Sequence, residues 1–447
     1  MTEPIIKPFD VLIVGGLPEG GGGRDHMFAW LCQKSPLVRK VYCWTQNTGI
    51  IGLSKVERPQ EDPPKSLEEL ALWAKAHNIG LTIPGPEALF AAGIVDIFQA
   101  HGLAIFGPTA AAAMIEASKL FGKEVMREAG VPTAAYMTFT DSRAAREYVE
   151  SAQYPLVVKC DELAAGKGVV VCSTVNEAIN AIKAFMEDGA IKGAGKTILI
   201  EEYLTPKKGV RRPEVSVFAL VDTFGNFQIL GDAHDWKRRF NRDEGPNTGG
   251  MASCSPAFND HPRGLLAEVG EKFIKPIVDE LIQRMKPFSG ILYAGLMLTK
   301  DGYKVVEYNC RIGDPEGQAL AVRWRTDIIA LMKKVADGGS IECDTVSFND
   351  TQSLCVVVCD TEYPAKNYPR PIPSALLGSS DTVQVFCAGT KAGPGESVIS
   401  NGGRVLNIVG MGADWEEAGD EALTRIANRL PDNLPGLDYR FDMLRRP

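Results

Sequence analysis

What the chain lacks narrows its class before any motif is read. No segment approaches the roughly 18 uninterrupted apolar residues of a membrane-spanning helix. Basic residues are not in excess: 48 Lys and Arg against 56 Asp and Glu leave a net charge of −8, which argues against non-specific nucleic-acid binding. The ten cysteines include no CxxC pair. Several, such as Cys355 and Cys359 in "LCVVVC", stand inside apolar runs and read as small buried hydrophobes, not as a disulfide or zinc framework. The N-terminal "MTEPIIKPFDVLIVGG" lacks a basic flank and a cleavable apolar stretch, so a cytoplasmic location is the expectation. Internal repeats and low-complexity segments are absent.

A chain of 447 residues exceeds one ordinary core, so several domains are expected. Its first part alternates strand and helix signals: strand 10–16, helix 24–34, strand 38–44, helix 66–77, strand 80–87, helix 88–101 and strand 103–108. That alternation predicts a parallel, doubly wound, Rossmann-like sheet over residues 1–116, with ligands at the carboxyl ends of its strands. The helix 117–130 opens a small α+β module ending near 204, followed by a strand-rich unit over 205–348. In that unit "NRDEGPNTGGM" reads as a polar loop, 262–286 as a long helix, and "ILYAGLMLTKDGYKVVEYNC" as a hairpin turning at Asp301-Gly302. Residues 349–447 suggest a compact α+β unit closed by a helix over 415–430. The fold class is therefore α/β and α+β in several domains.

Four segments carry chemistry. In "KCDELAAGKGVVV" the glycines beside Lys167 let backbone N–H groups approach an anion, although no GxxxxGK[ST] P-loop opens a helix there. The apolar strand "ILIEEYL" ends in Glu201 and Glu202; the bland reading is a sheet edge, the functional one a hinge against a purine, with Glu214 for ribose hydroxyls. In "VVEYNCRIGDPEGQ", Glu307 and Asn309 are two apart on a strand and offer a carboxylate and an amide oxygen on one face, a donor set for Mg²⁺. Arg311 can clamp a carboxylate or phosphate beside them. The glycine-rich "EGPNTGGM" offers backbone donors close to Asp235, Lys237 and Arg238. Each segment alone has a structural explanation; four together favour a site for anionic substrates.

With "LAAGKGV", "GPNTGGM", "FSGILYAGLM", "EYNCRIGDPE" and "NGGRVL" in this order, the chain resembles the glycinamide ribonucleotide synthetases of the ATP-grasp superfamily, from about residue 10 to beyond 430. The resemblance implies an ATP-dependent carboxylate–amine ligase of purine biosynthesis using ATP with Mg²⁺ or Mn²⁺. It implies small-molecule substrates, a glycine-like acid and a phosphoribosylamine-like amine, no nucleic-acid or membrane partner, and a monomer or weak dimer. Residues 117–204 become the ATP-grasp lid and 205–348 its catalytic subdomain. Lys119, Lys159, Ala165, Gly166, Lys167, Gly168, Glu201, Glu202, Leu204 and Glu214 would bind ATP. Glu307 and Asn309 would hold the metal, and Arg311, Lys167, Asp235 and Lys237 would be catalytic. Gly22, Gly23, Arg24, Pro86, Glu87, Asn247, Thr248, Gly249, Gly250, Arg311, Gly313 and Asp314 would line the substrate pocket. The family's G-x-G-G-R-E-H loop is lengthened here to "GGLPEGGGGRDH", with Asp25 for the usual glutamate, and Trp236 replaces a histidine. Those departures motivate one alternative, an amide ligase for a different amine or acid; a second, from another class, is a nucleotide-binding regulator without catalysis, against which Glu307, Asn309 and Lys167 stand intact.

Overall fold

The computed structural model describes residues 7–163, 168–189, 197–257, 264–428 and 436–444. The N-terminal sheet is parallel, with β1 (Phe9–Val14), β2 (Val38–Tyr42), β3 (Val56–Glu57) and β4 (Leu81–Pro84) in the order β3-β2-β1-β4. β1 is buried on both faces, as a central parallel strand covered by helices must be. The segment 103–108, expected as a strand, makes only an isolated bridge, Ile105 to Thr82. The helix expected over 88–101 is two helices, Glu87–Ala91 and Ile94–Ala100, broken at Gly93, whose φ of 83° a helix cannot continue.

The segment expected as the lid holds an antiparallel sheet of β5 (Tyr136–Phe139), β6 (Leu156–Cys160), β7 (Val169–Cys172) and β8 (Ile198–Glu202), ordered β5-β8-β6-β7. Val158, Cys160 and Ile200 pack with residues of the helices Ser142–Ser151 and Val175–Met186 in a core of the lid's own. Strand alternation then turns Val157, Lys159 and Glu201 to the opposite face, toward the rest of the molecule.

A larger sheet joins β9 (Glu214–Val221), β10 (Phe227–Phe240), β11 (Glu244–Ser255), β12 (Gly290–Thr299) and β13 (Gly302–Asn309) to strands from the C-terminal part. The stretch "EGPNTGGM" lies in β11, so it is strand and not the expected loop; β10 pairs with Glu244 and Asn247 in it, and β14 (Gln352–Asp360) pairs with the rest of β11, Ala252–Ser255. Between the pairs Trp236–Ala252 and Arg238–Asn247, Lys237 alone faces Thr248–Met251, a wide bulge that contains both glycines. The β12–β13 hairpin turns at Lys300-Asp301, one residue earlier than expected, between the paired Thr299 and Gly302. The helix expected over 262–286 is Leu265–Val269 and Lys275–Gln283 joined through a π-turn, Gly270–Ile274.

After β14 come β15 (Pro371–Ile372), β16 (Val383–Cys387), β17 (Thr390–Ala392), β18 (Val398–Ser400), β19 (Arg404–Gly412) and β20 (Leu437–Tyr439). β14, β19 and β16 extend the large sheet through the β11–β14 pairing, and the helix Trp415–Ala427 covers this end with apolar packing of its own. Among the described residues no helix is long and apolar enough to cross a membrane.

Candidate active site

Glu307 and Asn309 end β13 and share one face of it. Lys119, in the first turn of the helix Lys119–Glu128, places its Nζ 3.7 Å from the Glu307 carboxylate. From the lid, Lys159 donates to the Val306 carbonyl at 3.4 Å, so lid and central sheet meet here. Burial pushes the Glu307 carboxyl up, yet Lys119, Lys159, Lys237 and Arg311 outweigh it and hold it at about 2. A cation in a first helical turn sits at the positive end of the helix dipole, an arrangement that favours an arriving anion. Ser118 fixes that turn: its Oγ accepts from Phe121 N at 3.0 Å and donates to Asp161 at 2.9 Å.

At the hinge, Glu201 Oε2 lies 3.0 Å from Lys159 Nζ and 3.2 Å from Lys123 Nζ. Its Oε1 is buried and has no hydrogen-bond partner, leaving an acceptor for a ligand donor. Glu202 instead pairs with Lys304 at 2.9 Å and is exposed, and Leu204 follows it, half-buried. Gly168 accepts from Cys160 N at 2.9 Å, whereas Ala165, Gly166 and Lys167 lie outside the described residues.

On β10, Lys237 is ion-paired with Glu214 and lies 3.5 Å from Asp235. Thr248 Oγ1 donates to the Lys237 carbonyl at 2.8 Å and accepts from Gly250 N at 3.0 Å, which pins the bulge. Gly249 is held from the C-terminal part: its carbonyl accepts from Arg404 Nη1 at 2.7 Å, and its N–H donates to the Tyr363 hydroxyl at 3.1 Å. Asn247 is drawn to the exposed Arg238, 3.5 Å away, and not to Lys237. Trp236 stands on the other face of β10 from Asp235 and Lys237, edge-on to His234 with ring centroids 4.7 Å apart. Its replacement of a histidine therefore alters packing and not the charged face.

Gly22 caps the helix Gly23–Lys34, and its N–H donates to Asp25 Oδ2 at 2.6 Å. Arg24 N donates to Asp314 Oδ2 at 3.2 Å, and Arg24 Nη1 lies 3.8 Å from Glu87, next to Pro86. Asp314 also receives Gln318 Nε2 at 3.0 Å and Arg404 at 3.5 Å. Gly313 is pressed by Glu316, whose carboxyl carbon would lie 2.5 Å from an added Cβ. The lengthened loop folds back on itself, Gly20 against Gly15, and Gly20 N donates to the Trp44 carbonyl at 3.2 Å. Asn47 Nδ2 then ties it to the C-terminal part, donating to Gly21 O at 3.1 Å, Cys387 O at 2.9 Å and Ala388 O at 2.8 Å.

Arg311 joins the two halves. Its Nε donates to Glu87 at 3.2 Å, and its Nη2 donates to Asn309 Oδ1 at 3.1 Å and pairs with Glu116 at 3.1 Å. Lys123, Glu116, Arg404 and Tyr363 escape the sequence reading. "NGGRVL" contains Arg404, and the helix expected over 117–130 contains Lys123 and begins directly after Glu116, but none of the four residues is singled out.

The residues present fit a magnesium nucleotide. Glu307 is held ionised, and Asn309 offers an amide oxygen, which accepts from Arg311, while its buried Nδ2 has no partner. Among the described residues no group of three or more His, Cys, Asp or Glu forms a metal cage. Mg²⁺, which takes one or two protein oxygens and completes its shell with phosphates and water, needs none.

Family models agree with this geometry along the chain. The phosphoribosylglycinamide synthetase N domain matches residues 9–116, its ATP-grasp (A) domain 117–317 and its C domain 353–445. The phosphoribosylamine–glycine ligase of Brucella melitensis is 39% identical over 427 residues, covering 95% of this chain and 96% of that one. The crystal structure of the Thermotoga maritima phosphoribosylamine–glycine ligase superposes with a TM-score of 0.80 at 27% identity, over 97% of this chain and 99% of that one. The biotin carboxylase domain of Hydrogenobacter thermophilus 2-oxoglutarate carboxylase, crystallised with MgADP, shares the fold at a TM-score of 0.71 and 16% identity, over 97% and 92% of the two chains. This chain belongs to the phosphoribosylglycinamide synthetase family, with the ATP-grasp fold.

Proposed function

We propose that the protein joins glycine to 5-phosphoribosylamine at the expense of ATP, giving glycinamide ribonucleotide, ADP and phosphate. The observation that carries this reading is the cluster of cations around the end of β13: Lys119 lies 3.7 Å from Glu307, Lys159 donates to the Val306 carbonyl and Arg311 donates to Asn309. A carboxylate and a triphosphate repel each other, and fixed cations offset that repulsion where it is largest. In the first step a glycine carboxylate oxygen attacks the γ-phosphorus and ADP leaves. In the second the amine nitrogen attacks the acyl carbon, loses a proton and expels phosphate. Lys119 and Lys159 meet the phosphates, and Arg311 faces the acyl phosphate. Asp235 and Lys237, with Thr248 and Gly249, hold the acid, while Gly22, Gly23, Arg24 and Glu87 hold the amine. No side chain becomes covalently attached, and the chemistry rests on positioning. Mg²⁺ at Glu307 and Asn309 supplies charge neutralisation when bound, and the same oxygen donors suit Mn²⁺.

The Glu201 oxygen left without a partner supports a purine amine at the hinge. The same reading describes a cytoplasmic enzyme of small molecules, monomeric or weakly dimeric, without nucleic-acid or membrane partners. Purified protein is expected to release ADP only when glycine, phosphoribosylamine, ATP and Mg²⁺ are all present. ADP release at background level under those conditions would end the proposal.

A further inference from the structure

Glu116 touches the cleft from an unexpected direction. It lies at the end of the helix Ala110–Ala117, where the matches to the N and ATP-grasp domains meet, and its side chain is 8% exposed. One carboxylate oxygen is 3.1 Å from Arg311 Nη2, and the other accepts from Cys310 N at 2.7 Å. A single carboxylate thus holds the backbone at one residue and the side chain of the next. Those two residues directly follow Asn309, whose Oδ1 accepts from the same Arg311 nitrogen at 3.1 Å. Glu87 fixes Arg311 Nε at 3.2 Å, and the Ile312 carbonyl accepts from Nη1 at 3.4 Å. The guanidinium is held on three sides before any ligand arrives.

Stability alone is a poor reason for this arrangement. A buried ion pair returns little net stability, because both ions lose their water. A long arginine, by contrast, gains much from being oriented: its planar fork delivers directed hydrogen bonds only when its plane is set. We propose that Glu116 is the positioning residue for Arg311, setting its guanidinium plane and its register with Asn309 so that it meets the acyl phosphate without rearrangement. This assignment rests on the ligase reading above, and it makes the N-terminal helix part of the catalytic apparatus without contact with substrate.

Glu116→Gln keeps an acceptor for Cys310 N and loses the charge facing Arg311. In the full-length protein it is expected to lower kcat roughly 100-fold, as a misplaced catalytic group does, with KM for ATP and the melting temperature close to the parent's. Glu116→Asp is expected to recover part of the loss. In an Arg311→Lys background, Glu116→Gln is expected to add nearly nothing, since it acts through the residue already changed. An unchanged kcat, a loss tracking the melting temperature, or full additivity with Arg311→Lys would overturn the proposal. A parent enzyme that releases no ADP would sink the ligase reading instead. The positioning claim would then stand or fall on a crystal structure of Glu116→Gln: a guanidinium displaced from Asn309 supports it, and one that has not moved overturns it.

Discussion

The two sides of the cleft are built by different physics. On the lid side, ionised groups meet where the lid, with a core of its own, faces the helix of Lys119 and β13, which share another: Lys159 on the lid, Lys119 on the helix, Glu307 on β13. On the side of the first glycine loop, neutral amides and backbone groups are pressed together. Asn47 donates to three carbonyls, Cys387 N donates to His26 Nδ1 at 2.8 Å, and the wholly buried Asn407 and Gln318 lie against Gly23. The first side depends less on contact, because charges act over distance and the lid has a separate core. The second has a shape only when β16 and β19 are in place behind it, since close packing acts only at contact. The lid side is therefore expected to govern turnover, and the loop side to govern stability and the affinity for the amine.

The sharpest way to break this contrast is Glu307→Gln. Lys119 would lose its ion-pair partner, and the proposed metal site its carboxylate. Turnover is expected to fall by about two to three orders of magnitude, comparable to removing a preorganised charge-stabilising group, with the melting temperature unchanged. ADP release measured across a magnesium titration checks this. Near-parent activity at low Mg²⁺ would locate the metal elsewhere.

The same contrast explains what could be read from the sequence. Glu307 and Asn309 were legible because strand periodicity places both on one face of a hairpin that closes locally. "EGPNTGGM" was misread as a loop because its pairing is interrupted: Glu244 and Asn247 pair with Phe240 and Arg238 of β10, while Thr248–Met251 bulge opposite Lys237. Local composition shows the glycines and the proline of such a segment, and not the ladder that carries its bulge. Glu116 and Arg404 were missed for a related reason. Each is a single charge without a pattern, and its meaning comes from Arg311 or Asp314 across the fold. The departure at Trp236 was legible, but its consequence was not, because only the strand's facing shows that the indole turns from the charged wall.

A smaller effect is expected on the loop side from Gly23→Ala. Alanine would normally strengthen a helical turn, but here its Cβ would lie 2.1 Å from Asn407 Nδ2 and 2.7 Å from Gln318 Nε2. Neither fully buried side chain has room to swing away. Overpacking of this kind costs about 3 kcal/mol. Chemical denaturation is expected to show that loss, with KM rising for phosphoribosylamine and not for ATP. An equal rise for both substrates would mean that the two sides are not separable.

The smallest expected effect is a pH dependence at the same junction. Burial lowers the His26 imidazole from its ordinary value of 6.5 to about 4. The neutral ring accepts from Cys387 N and meets Phe386 edge-on, with centroids 5.5 Å apart. Protonation would set one donor against another. Because the folded-state value is depressed, the stabilising contribution is complete above 6.5 and is lost as pH falls toward 4. Linkage gives a loss of about 2 kcal/mol by pH 5. Replacing His26 with Gln removes that titration, so melting temperatures measured from pH 7 to pH 5 are expected to fall less steeply than the parent's. Parallel curves would shift responsibility to His234, which burial depresses to the same degree but which contacts the Glu214 carbonyl on the catalytic strands. Acid sensitivity would then belong to the β9–β10 pair behind the charged wall, and the assignment of stability to the close-packed loop side would fail.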